Sequence, residues 1–138
     1  MTSRSSLLAV GLVVVFGVGG CGSSGGSSGA PSNVPPGDTF GQLSTSQVTS
    51  LCDYLAATQG GYGRSVTCPA GDTQTTDDSQ SACVSSSAQV AALCPTLTVG
   101  ETEECAAAVG TNLCDFDTAS ACAPVRNCFG AASDGGAN

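Results

Sequence analysis

Three regimes of hydrophobic and polar patterning divide this chain. Residues 7–18, Leu-Leu-Ala-Val-Gly-Leu-Val-Val-Val-Phe-Gly-Val, are an almost unbroken apolar run. Residues 22–37 are mostly Gly, Ser and Pro, with Val34 as their one large apolar side chain. From Thr39 to Phe129 apolar residues and cysteines return every three or four positions, which is the spacing of one helix face. The pattern predicts four parts: a leader over 1–20, a tether over 21–38, a cysteine-rich helical domain over 39–129 and a disordered tail over 130–138.

Within the domain the first helix is the best defined. Val48, Leu51, Cys52, Leu55 and Ala56 fall at i, i+3, i+4, i+7 and i+8. Ser44 and Gln47 have capping-box spacing, Leu43 and Val48 have staple spacing, and Gly60-Gly61 supplies a stop. This predicts a helix over 45–59. A second helix is expected over about 78–93, capped by Asp77 or Asp78 and ended by Pro95. Its inner face would carry Cys83, Ser87, Val90, Ala91 and Cys94. A third begins at Thr98, boxed with Glu101, and stops at Gly110. A short fourth would run from an Asp117 cap through Cys122, with Pro124 breaking the chain before Cys128. Strand signal is confined to Leu97-Thr98-Val99. The expected fold class is therefore all-α, a small disulfide-stapled bundle of three to four short helices.

Cysteine usage sharpens this picture. Of nine cysteines, eight lie at 52, 68, 83, 94, 105, 114, 122 and 128, and the ninth is Cys21. An even set in a small exported domain reads as a disulfide framework. A domain of about 90 residues has a marginal core, and disulfides typically add about 2–4 kcal/mol each. Cys83 and Cys94 share a helix face but would sit about 16 Å apart at 1.5 Å per residue. That exceeds the span of about 7 Å that a disulfide tolerates. These two should therefore staple the ends of the second helix to other segments. The remaining pairings stay open.

Val18-Gly19-Gly20-Cys21, directly after the apolar run, resembles the lipobox of bacterial lipoproteins. The resemblance implies cleavage before Cys21 and lipidation of its thiol and amine. Two or more acyl chains give stable anchoring where one does not. A 12-residue run is too short for a spanning helix, which needs about 18 apolar residues or more. Gly22 in place of Asp implies outer-membrane sorting. As a tether, residues 22–37 would span roughly 20–25 Å. Residues Leu51-Cys52-Asp53-Tyr54, Gly60-Gly61-Tyr62-Gly63, Cys94-Pro95-Thr96-Leu97-Thr98-Val99-Gly100 and Cys105, Cys114, Cys122 and Cys128 resemble the cysteine-rich domains of uncharacterised myxobacterial-type lipoproteins. That likeness implies no activity. Plant lipid-transfer proteins also place eight cysteines on four helices, but they need adjacent Cys-Cys and Cys-x-Cys pairs that do not occur here.

Candidate chemistry is sparse. The chain has no His and no Lys. That removes imidazole bases and ligands and any Schiff-base lysine. No Cys-x-x-Cys occurs. Eleven carboxylates against Arg64 and Arg126 beyond the leader disfavour nucleic acid and anionic lipid as partners. Glu101, Glu103 and Glu104, like Asp77 and Asp78, complement helix N-termini. Asp115 and Asp117 could begin a calcium site with loop carbonyls. Tyr62 and Arg64, set among glycines, are residue types common in binding hot spots and form the candidate binding patch. A helix stop followed by a Tyr62 folded back on the thin core is the competing reading, and the preferred one. The expectation is a monomeric, non-catalytic envelope lipoprotein without cofactor or metal, presenting a module to an envelope protein or as surface coat. The alternative is a small-ligand or calcium-binding module, which a cavity between the first and third helices would favour.

Overall fold

The computed structural model describes residues 32–134, and the apolar run, Cys21 and the first part of the expected tether lie outside them. Four helices are present: α1 Thr45–Gln59, α2 Gln80–Leu93, α3 Val99–Val109 and α4 Ala123–Asp134. A two-stranded antiparallel hairpin, β1 Ser65–Thr67 and β2 Thr73–Thr75, separates α1 from α2, with Val66 opposite Gln74. Three 3₁₀ turns, Phe40–Gln42, Leu113–Asp117 and Ser120–Cys122, complete the order. No helix among the described residues is long and apolar enough to cross a membrane.

α1 has the expected bounds, and its cap is reciprocal. The Gln47 amide N–H donates to Ser44 Oγ at 3.4 Å, and the Ser44 N–H donates to Gln47 Oε1 at 2.9 Å. Gly60 closes the helix at φ 91°, a left-handed conformation open to glycine at little cost. Val48, Leu51, Cys52 and Ala56 are buried and Leu55 is half-buried, so the predicted face is the inner one. α3 is likewise boxed by Thr98 and Glu101. α2 starts two residues later than expected. Ser79 caps it, accepting from the Ala82 N–H at 3.2 Å, whereas the Asp77 carboxylate accepts from Ser86 Oγ.

The disulfides are Cys52–Cys83, Cys68–Cys114, Cys94–Cys128 and Cys105–Cys122. α2 is thus fastened at one end to α1 and at the other to α4, as the helical spacing of Cys83 and Cys94 requires. The main core gathers Val34, Phe40, Leu51, Leu97, Val99, Val109, Leu113 and Val125 around Cys94, Cys105 and Cys122. A second, smaller cluster holds Val48 against the Cys52–Cys83 bridge.

Four expectations need correction. The fourth helix does not lie between Asp117 and Cys122. That stretch is two 3₁₀ turns, and α4 begins at Ala123 with Pro124 in its first turn, where a missing N–H costs nothing. α4 also continues to Asp134, so the tail expected from 130 begins no earlier than 135. Leu97-Thr98-Val99 is not a strand, and only Thr98 forms an isolated bridge, to Thr39. Lastly, the folded part starts by Ser32 and not at Thr39. Val34 is 6% exposed within the core, and Ser32 donates through N–H and Oγ to Glu103 Oε1. The carbonyls of Pro36 and Asp38 accept the N–H groups of Gly100 and Val99 at 2.8 and 2.9 Å. Residues 32–38 are therefore a strap that satisfies two orphan donors of α3.

Candidate functional site

The turn after α1 holds both residues of the predicted patch. Gly60, Gly61 and Gly63 all have positive φ, and this winds the backbone tightly around Tyr62. The Tyr62 ring is half-buried against the Val48, Cys52 and Cys83 cluster. Its hydroxyl donates to Asp53 Oδ1 at 3.0 Å, and the same oxygen accepts from Gln80 Nε2 at 2.7 Å. Burial, then the Asp53 hydrogen bond and the charges of Asp53 and Asp77, raise the Tyr62 pKa to about 12. Tyr62 is folded back, not held out.

Arg64 is a clamp. Its Nη1 donates to the carbonyl of Gln59 at 2.8 Å and to the carbonyl of Thr111. These carbonyls lie at the last residue of α1 and just beyond α3, where helix ends leave acceptors unpaired and attract positive charge. A Cβ on Gly60 would come within 3.2 Å of the Arg64 side chain, so the glycine also makes room for the clamp. Arg126 does the same elsewhere, donating to the carbonyls of Phe116 at 2.6 Å and Ala119 at 2.8 Å. The structure therefore keeps Tyr62 and Arg64 in one turn but commits each to an internal bond.

Asp115 and Asp117 are exposed on the 3₁₀ turn after α3. The nearby carbonyls of Phe116 and Ala119, which a cation would need, already accept from Arg126. The guanidinium charge opposes a cation as well. No group of three Asp, Glu, Cys or His side chains suited to a metal occurs among the described residues.

A cleft that the sequence did not reveal opens between the C-terminal ends of α1 and α3. Its volume is about 210 Å³. Gln59, Gln74, Thr75 and Thr76 supply polar walls, and Val109, Leu113 and Phe116 supply apolar ones. Two devices hold these walls. The Cys68–Cys114 bridge ties the hairpin to the 3₁₀ segment, and Arg64 ties the end of α1 to the residue after Gly110. Thr76 Oγ1 is spoken for, accepting from the Arg64 N–H and donating to the Gly61 carbonyl, both at 2.9 Å. The lining comes from three stretches distant in sequence, so no local motif announces it.

Comparison of the chain with protein-family models, with curated proteins and with solved structures finds no match to any of them.

Proposed function

We propose that this protein is a lipid-anchored, non-catalytic lipoprotein of the bacterial cell envelope, held at the outer membrane through Cys21. Its disulfide-rich module would be presented to an envelope protein or as surface coat. One observation supports this reading above the others. The four disulfides consume all eight cysteines from 52 to 128, which leaves Cys21 as the one cysteine without an intramolecular partner in the framework. An unpaired cysteine in an exported chain calls for a use, and lipidation of a lipobox cysteine is that use. The chain's lack of imidazole and lysine supports the non-catalytic part.

Detergent phase separation tests the anchor. The wild-type chain, expressed in a bacterial host, should enter the detergent phase and Cys21→Ser should stay in the aqueous phase. An unlipidated wild-type N-terminus by mass spectrometry would overturn the reading. A second reading, a small-ligand module, is favoured by the cleft between α1 and α3. The calcium version of it is disfavoured by Arg126, which occupies the loop carbonyls beside Asp115 and Asp117.

A further inference from the structure

The cleft at the ends of α1 and α3 has a chemistry specific enough to name a ligand class. We infer that it is a subsite for one ring of an uncharged sugar. The inference rests on the small-ligand reading and not on the anchor, since the cleft belongs to the domain whether or not Cys21 carries lipid.

Charge comes first. None of the residues lining the cleft is charged. A charged ligand entering it would lose hydration without gaining a counter-charge. The carboxylate nearest in sequence to β2, Asp72, is turned to use on the wall itself, accepting from Gln74 Nε2 at 3.0 Å. That bond fixes the Gln74 amide and leaves its Oε1 as an acceptor. The Gln59 amide and the Thr75 hydroxyl make no hydrogen bond among the described residues, so both keep their donors and acceptors. Amides and hydroxyls each offer both functions, and sugar hydroxyls require both. A wholly apolar ligand would strand these groups without partners.

The other wall matches the other side of a sugar. Phe116 is half-buried, and Val109 and Leu113 are buried beneath the cleft. An aromatic ring with aliphatic neighbours is a platform for the C–H face of a pyranose. Binding pockets for drug-sized molecules run from about 300 Å³ upward. A cleft of about 210 Å³ is smaller and suits a single ring. Rigidity adds to the case, because walls held by a disulfide and by Arg64 need little ordering when a ligand arrives.

Amide ¹⁵N–¹H spectra of the full chain in detergent micelles provide the test, with glucose, N-acetylglucosamine and tri-N-acetylchitotriose as probes. Phenol and benzamide serve as neutral aromatic controls. The expected result is saturable shifts confined to residues 74–76, 109 and 113–116 with at least one sugar. Gln74→Ala and Gln59→Ala should each weaken that binding tenfold or more while the melting temperature holds. Equal affinity for monomer and trimer would mark a free sugar as ligand, and a tighter trimer would mark a glycan chain, and either supports the inference. Shifts from the aromatic controls alone would overturn the sugar assignment and keep the small-ligand reading. No saturable shift from any probe at tens of millimolar overturns both, and affinity indifferent to both glutamine variants overturns the assignment to this cleft.

Discussion

At the scale of single residues, the two candidate binding side chains are structural. Arg64 joins two helix ends through charge-assisted bonds, which are worth about 1.5–3 kcal/mol when buried. It is half-exposed here, so Arg64→Ala should cost about 1–2 kcal/mol. For a domain of this size that lowers the melting temperature by roughly 4–16 °C, measurable by circular dichroism under non-reducing conditions. An unchanged melting temperature would return Arg64 to the pool of surface contacts. Tyr62 gives a different signal. Its folded pKa, about 12, lies above the ordinary phenol value of 10.0, so the folded state holds the proton more tightly than the unfolded one. The resulting stabilisation is complete below pH 10 and fades as pH rises toward 12. Tyr62→Phe should remove that decline from the pH profile of stability, together with the late phenolate step in absorbance. Hot-spot composition points to exposure for this pair, but the preferred reading of the turn, a Tyr62 folded back on the core, is the one the structure shows, with a row of positive-φ glycines bending the turn back onto α1.

At the scale of elements, legibility follows how local the determinants are. α1 and α3 carry cap, apolar face and glycine stop within one stretch of chain, and each lies where that grammar places it. α2 was legible except at its start, because Ser79 and the two aspartates before it compete for one cap and the hydroxyl wins. The hairpin was missed because three-residue strands have no period to detect and Val66 is their one large apolar side chain. Its cues were the threonines around Pro69-Ala70-Gly71-Asp72, with Gly71 at φ 93°. The cleft was illegible for a related reason, as its walls meet only after the Cys68–Cys114 pairing is known. The strap was hidden by composition, since Gly, Ser and Pro flank the buried Val34. It yields a prediction of inverted sign. Glycine to alanine inside a helix ordinarily stabilises by about 1 kcal/mol. At Gly100 a Cβ would stand 3.0 Å from the Pro36 carbonyl oxygen. Gly100→Ala should therefore lower stability and speed exchange of the Val99 amide, which the strap protects. A rise in melting temperature would show that the strap is loosely held.

At the scale of the molecule, the disulfides stand in for a large core. The closed loops span 17 to 46 residues. On the chain-entropy model each is worth about 3–4 kcal/mol, as much as burying one or two of the core aliphatic side chains at about 1.5–3 kcal/mol each. Composition made this reliance visible in advance, while the pairing emerged only from the fold.

The strap also changes the reach of the whole molecule. In a chain anchored at Cys21, clamping residues 32–38 to α3 leaves 22–31 between the lipid and the domain, ten residues where composition alone suggested sixteen. Taken as the flexible Gly/Ser chain that composition predicts, ten residues span roughly 16–19 Å. Effective concentration falls with about the −3/2 power of linker length, so the shorter leash confines the domain to a layer about twofold more concentrated. Any receptor for the cleft would have to stand within that layer.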